Sequence, residues 1–232
     1  MNKVFASADQ AVANIADGCS VMMGGFGLCG IPENLIAALV RRGARKLTTI
    51  SNNVGVQGFG VGLLLRNGQI RKHIGTFMGD NQLLQELLAR GEIELEVIPQ
   101  GTFIERIRSA GAGIAAFYTP TGVGTVVEQG KEPRDFDGQR YLLETALRAD
   151  FALVKAWKGD AHGNLVYRKT ARNFNPEMAA AAKVTIAEVE QLVPVGELNP
   201  DQVHTPGIYV QRIIQGPSYE KLIEKRTVRR AS

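Results

Sequence analysis

Val21-Met22-Met23-Gly24-Gly25-Phe26-Gly27-Leu28-Cys29-Gly30-Ile31-Pro32-Glu33-Asn34-Leu35-Ile36 is the stretch on which the fold turns. Its apolar start reads as a buried strand, the glycine-rich run that follows as a turn, and Pro32 as a helix start, where a missing N–H leaves no hydrogen bond unmade. Strand, glycine turn and helix in that order open a βα unit. Arg41-Arg42-Gly43 ends the helix, with cations near its negative end and glycine past it. Upstream, Ser7 with Gln10 three residues later is a capping-box start; Val12, Ile15 and Ala16 supply an apolar face, and Gly18 closes that helix.

Downstream the unit repeats. Residues 47–50 read as a strand followed by Ser51-Asn52-Asn53, and 61–65 as a short helical stretch. Residues 71–77 form a strand ending in Met78-Gly79-Asp80-Asn81, and 83–88 a helix. Residues 94–98 form a strand ending in Pro99-Gln100-Gly101, with Thr102 expected to cap the next helix and Glu105 in the capping-box position. Such alternation specifies an α/β fold with an open, mainly parallel sheet flanked by helices. The C-terminal half adds β segments. Residues 115–118 and 122–127 read as strands and turns, 134–137 as a polar loop, 151–157 as a strand and 162–164 as a turn. Residues 178–182 read as a helix, 184–192 as a strand and 208–214 as the last strand. No linker divides residues 1–232, so one domain is expected, with a charged tail over 217–232 read as a solvated helix or arm.

Lys and Arg number 27 against 23 Asp and Glu, which suits an anionic small-molecule ligand and lacks the clustered basic footprint of a nucleic-acid binder. Cys19 and Cys29 have no metal-ligand spacing and suit a reduced compartment. No apolar run nears the ~20 residues of a membrane helix, and the first residues lack a signal-peptide core, so a cytoplasmic protein is expected.

In an open parallel sheet, ligands bind beyond the carboxyl ends of the strands. Here those ends are residues 24–30, 51–53, 79–81 and 99–102, all small, polar or glycine-rich, without an evident nucleophile, histidine base or metal cluster. They suit amides and backbone N–H groups held against something anionic or carbonyl-like. Gly25-Phe26-Gly27-Leu28-Cys29-Gly30 also matches G-x-G-x-x-G, so a nicotinamide oxidoreductase is a rival; against it, the second strand ends in Ser51-Asn52-Asn53 rather than in an acid for the ribose. A tight turn with no ligand is a further alternative. Glu33 reads as a dipole partner of its helix, Glu105 as a cap, and Cys29 as an inert thiol without a nearby base. His73, His162 and His204 are scattered. Asn52 and Asn53 could merely make a turn, and Gln100 could bond nearby backbone or act at a helix start.

The quoted glycine stretch, with Ser51-Asn52-Asn53-Val54-Gly55, Pro99-Gln100-Gly101-Thr102, Ala115-Ala116-Phe117-Tyr118-Thr119, the strand 151–157 and Ala171-Arg172-Asn173-Phe174-Asn175, closely resembles the A subunits of the 3-oxoacid coenzyme A-transferase family. The likeness spans nearly the whole chain. It is strongest to the succinyl-CoA:3-ketoacid (acetoacetate) members, with 3-oxoadipate transferases as near relatives. The resemblance implies a transferase fold related in architecture to the sugar-phosphate isomerases, whose own acid–base pair has no counterpart here. It implies a separate B subunit, expected as two A with two B chains, carrying the nucleophilic glutamate in a Glu-Asn-Gly motif. This sequence lacks that motif; Glu33-Asn34-Leu35 is the nearest string. Coenzyme A is then a substrate, with no cofactor bound permanently and no metal. Succinyl-CoA and a 3-oxoacid are the other reactants. Gln100 is expected as an oxyanion donor. Asn52 and Asn53 are expected as polar positioning groups, and Phe26, Phe117 and Tyr118 as apolar walls. The loop Gly24, Gly25, Phe26, Gly27, Leu28, Cys29, Gly30 is expected to approach coenzyme A with its N–H groups exposed.

Overall fold

The computed structural model describes residues 2–56, 58–79 and 81–223. Asp80, and the charged tail beyond Ile223, lie outside the described residues.

The chain begins with α1 (Ala8–Val12), β1 (Ser20–Met23), α2 (Glu33–Arg42), β2 (Leu47–Ile50), α3 (Gly62–Arg66), β3 (Ile70–Gly75), α4 (Gln82–Ala89), β4 (Glu94–Val97) and α5 (Gln100–Gly111). It continues with β5 (Ala116–Thr119), β6 (Pro133–Phe136), β7 (Gln139–Thr145), β8 (Ala149–Asp160), β9 (Leu165–Val166), α6 (Asn175–Ala181), β10 (Ala182–Val193) and β11 (Arg212–Gln215). The main sheet runs β11-β10-β8-β1-β2-β3-β4, with β9 antiparallel on β8. Its other pairings are parallel.

β1 explains why this order is stable. Val21, Met22 and Met23 are all fully buried, because a parallel sheet is covered on both faces. Side chains alternate, so Val21 and Met23 meet Leu35, Leu39, Leu64 and Leu84 of the layer containing α2, α3 and α4. Met22 faces the other way and joins Phe103, Ile107 and Met178 of α5 and α6. The strand order reverses beside β1: β2 to β4 extend one way, and β8, β10 and β11 the other. That switch point opens a crevice at the carboxyl end of β1, where the glycine turn sits.

Several helix ends are made locally, as expected from sequence. Ser7 Oγ accepts from Gln10 N at 3.2 Å, and Gly43 ends α2 in the left-handed region, its N–H bonded to Leu39 O and Val40 O. Pro32 takes the cap position of α2 rather than its first turn and offers no side-chain cap. Glu188 of β10 substitutes for it, accepting from Leu35 N at 2.8 Å. This carboxyl is fully buried, and burial pushes its pKa up to about 8.

The structure corrects five local expectations. Residues 134–136 are not a loop but most of β6, paired with β7, and Asp137 begins the turn that follows. Every residue of β6 is exposed, so it carries no apolar alternation. The missed signal was Asp137-Gly138, both at positive φ (49° and 78°), the two-residue hairpin turn. Residues 122–127 form turns and part of a 3-10 turn, Val126–Glu128, rather than a strand. The last strand starts only at Arg212, since Gly207–Tyr209 is a 3-10 turn. Thr102 lies inside α5, whose cap position is Pro99; its buried hydroxyl has no partner among the described residues, and Glu105 pairs instead with Arg108 at 2.7 Å. Glu33 does more than face a helix dipole: its carboxylate accepts from Glu220 N at 2.9 Å and Lys221 N at 3.0 Å, which ties the exposed first residues of the tail to α2.

Candidate active site

Beyond the ends of β1, β2 and β3 and the start of α5 lies a cavity of about 510 Å³. Phe26 and Gly27 form one wall, Asn52, Asn53, Gly55 and Val56 the floor, and Thr76, Phe77, Gly79 and Gln100 the far side. None of these residues is charged. The cavity therefore offers amides, one hydroxyl and two aromatic rings, which suits negative charge that develops on a carbonyl oxygen. Phe26 and Phe77 remain 49% and 59% exposed, an unusual state for phenylalanines beside a polar floor.

Of the residues singled out from sequence, the structure brings Phe26, Gly27, Asn52, Asn53 and Gln100 together here. Their roles divide by hydrogen bonding. Asn52 is 5% exposed and spends both ends internally: Oδ1 accepts from Gly27 N at 3.0 Å, and Nδ2 donates to Thr76 Oγ1 at 2.8 Å. It ties β2, β3 and the glycine loop into one rigid corner. Asn53 Oδ1 accepts from Gly55 N at 2.8 Å, a side-chain-to-backbone turn. Gln100 is the first residue of α5, exposed, with no side-chain hydrogen bond among the described residues. Its amide, together with Asn53 Nδ2, which also has no partner among the described residues, is free to meet a ligand.

The glycine loop differs from expectation. Gly24 N donates to Leu153 O, Gly25 N to Asn173 Oδ1, Phe26 N to Cys29 O, Gly27 N to Asn52 Oδ1 and Cys29 N to Phe26 O, all between 2.9 and 3.0 Å. These N–H groups are consumed inside the protein and not presented to solvent, because a buried unpaired N–H is costly. Five of the seven N–H groups of the loop are thus committed, and those of Leu28 and Gly30 have no partner among the described residues. With Gly25, Phe26 and Gly27 N committed inside the protein, the loop does not present the row of N–H groups that the nicotinamide reading needs for a pyrophosphate.

Leu28, Cys29 and Gly30 face a different cavity, of about 330 Å³, shared with Lys155, Arg168, Lys169 and Thr170. Cys29 Sγ lies 3.7 Å from Thr170 Oγ1 with no histidine partner among the described residues. Phe117 and Tyr118 are not at the site within this chain. They sit on β5 in the separate sheet β5-β7-β6, where Tyr118 donates to Glu132 Oε1 at 2.8 Å and packs on Phe136 at 5.2 Å. Thr76 and Phe77 were missed because they read as strand; they follow β3 directly, and that end-of-strand position was the available signal.

No histidine serves the cavity as a base. His73 is fully buried on β3, Nδ1 2.9 Å from Thr49 Oγ1, and burial depresses its pKa to about 3. His204 Nδ1 accepts from Tyr167 N, and His162 is exposed on its turn. Among the described residues no group of three or more metal-ligating side chains occurs, and no helix is long and apolar enough to cross a membrane. The buried neutral His73 makes a stability prediction. The unfolded chain protonates near 6.5 and the fold only near 3, so the stability tied to neutral His73 is complete above pH 6.5 and declines as pH falls through that window. The decline approaches about 1.4 kcal/mol per pH unit. Urea unfolding of wild type and His73→Leu from pH 7 to 4 should show the wild-type lead shrinking with acid; parallel curves would contradict a buried neutral histidine.

The coenzyme A transferase family model matches residues 5–216. The chain is 53% identical over 231 residues to the A subunit of the succinyl-CoA:3-ketoacid coenzyme A transferase of Helicobacter pylori strain J99, covering 100% of both chains. It is 58% identical over 228 residues to the A subunit of the same-named transferase from Xanthomonas campestris pv. campestris strain ATCC 33913, covering 98% of this chain and 94% of that one. Its fold matches an acyl-CoA transferase of Escherichia coli O157:H7, solved as a thioester complex with CoA, at TM-score 0.84 and 22% identity; the match covers 95% of this chain and 48% of that one. With a family model spanning most of its length and full-length relatives above half identity, this chain belongs to the coenzyme A transferase family.

Proposed function

We propose that this chain is the A subunit of an enzyme that moves coenzyme A from succinyl-CoA to a 3-oxoacid such as acetoacetate, with the nucleophilic glutamate on a separate B subunit. The observation that carries this reading is the uncharged cavity: strand ends converge on amides and aromatic rings, and no carboxylate, thiol or imidazole reaches it from the described residues. The names of the full-length relatives supply the reactants.

In the proposed sequence, the glutamate carboxylate supplied by the B chain adds to the thioester carbonyl of succinyl-CoA and expels coenzyme A thiolate, leaving a mixed anhydride. The thiolate then adds to the glutamyl carbonyl, succinate leaves, and a glutamyl-CoA thioester remains. The 3-oxoacid carboxylate repeats these two steps in reverse order, which restores the glutamate. No proton need move, so no general base is required. Each addition places negative charge on a carbonyl oxygen, and the Gln100 amide is the donor for it. Phe26 and Phe77 keep water from the anhydride. Two A with two B chains is the assembly this reading carries.

The test is to assemble the chain with a partner bearing a Glu-Asn-Gly string and follow acetoacetyl-CoA formation from succinyl-CoA and acetoacetate. Turnover should require both chains, and borohydride or peptide mapping should find the thioester on the partner. An adduct on a side chain of this polypeptide, or an inactive assembled pair, would overturn the reading.

A further inference from the structure

The glycine loop is gripped from behind by a tripeptide nearly 150 residues away in sequence. Asn173 Oδ1 accepts from Gly25 N at 3.0 Å and Phe174 N at 2.8 Å, and its Nδ2 donates to Cys29 O at 2.9 Å and Thr170 O at 3.1 Å. Asn175 is fully buried; its Oδ1 accepts from Lys155 N at 2.9 Å, and its Nδ2 donates to Gly30 O and Ala171 O, both at 3.1 Å. Between them Phe174 stacks on Phe26 with ring centroids 6.1 Å apart and planes 22° from parallel. The start of the loop, its end and the cavity-wall ring are thus all held by residues 173–175.

The backbone at Asn173 is the second observation. Its φ of 24° with ψ of −124° is a conformation that residues with a Cβ rarely adopt. Such strain persists only where surrounding bonds over-determine it, and it concentrates at working sites. A glycine would adopt this conformation without penalty, so the asparagine is present for its side chain. Gly24 is the complement: a Cβ there would lie 1.9 Å from Asn175 Oδ1.

We propose that Asn173 and Asn175 are positioning residues for coenzyme A transfer, clamping residues 24–30 so that Phe26 and Gly27 keep their places on the cavity wall. This rests on the transferase reading above, and it adds residues that touch no reactant.

The test pairs Asn173→Gly with Asn173→Ala. Both lose the clamp, but only the alanine is forced into the strained backbone. If the clamp serves the reaction, kcat falls about 100-fold in both, the loss expected for a roughly 1 Å misplacement. Both leave Gly25 N and Phe174 N without their acceptor and so lose some melting temperature, the alanine more than the glycine because only glycine relieves the backbone, while KM for succinyl-CoA stays within about threefold in both. A merely structural role makes kcat follow Tm, so that the glycine variant is clearly less impaired than the alanine. A separate reading, independent of turnover, comes from the Cys29 thiol in a Cys19→Ser background of the full chain. Loosening of the loop should raise its rate of reaction with an aromatic disulfide about tenfold, since thiol reactivity tracks access. An unchanged thiol rate, or kcat within about threefold of the parent in Asn173→Gly, overturns the proposal. An inactive wild-type assembly would instead defeat the transferase reading, and it is seen before any variant is made.

Discussion

Gln100→Ala, in the assembled enzyme, is expected to lower kcat by about 10²–10³-fold, equivalent to ~2.7–4 kcal/mol of lost transition-state stabilisation. The expectation follows from hydrogen-bond accounting at the cavity. Asn52 already uses both ends of its amide, whereas Asn53 uses only its oxygen, on Gly55 N, and keeps its Nδ2 donor as a second candidate. Gln100 lines the same space with no side-chain partner among the described residues. Since it is exposed at the first position of α5, truncation should change stability by no more than about 0.5 kcal/mol, so a large kinetic loss could not be ascribed to unfolding. Gln100→Glu is the stricter control: it keeps the shape and places a carboxylate where the oxyanion develops, so turnover should be no better than in the alanine variant. A loss of less than about threefold in Gln100→Ala would remove this residue from the mechanism.

Gly24→Ala is expected to be the most disruptive single-methyl change near the site. The added carbon would lie 1.9 Å from Asn175 Oδ1, far inside van der Waals contact. Asn175 cannot retreat, being fully buried, and the struck oxygen accepts from Lys155 N at 2.9 Å. Overpacking costs roughly 1–3 kcal/mol and an unmet buried donor about as much again. A loss near 4 kcal/mol lowers Tm by roughly 10 °C in a chain of this size. Thermal melts of the purified chain measure this, and a drop below about 3 °C would mean that the corner is softer than described. In an Asn175→Ala background the same methyl should be far less harmful, giving a coupling of the size seen for touching residues. Gly25 behaves differently. From sequence, a bulky side chain there should either block a ligand or distort the turn. Its φ of 114° and a Cβ 2.5 Å from Ile31 Cγ2 decide for distortion.

The amino-acid sequence by itself determined the alternation of strand and helix, the parallel sheet and the strand-end loops that line the cavity. These depend on patterns within a few residues: the buried run before Gly24, the cap at Ser7, the Arg41-Arg42-Gly43 stop. What only the tertiary structure decided is which distant groups satisfy each other. Gly25 N meets Asn173, 148 positions away, and Leu35 N meets Glu188, 153 away. Both pairs exist because β1 lies beside β8 and β8 beside β10. The same strand order turned five of the loop's N–H groups inward, carried Phe117 and Tyr118 to a second sheet, and left Gln100 with an unused amide at the cavity. A local pattern specifies φ, ψ and which face is apolar, but leaves open which strand becomes whose neighbour, and that choice sets every hydrogen bond that spans the fold.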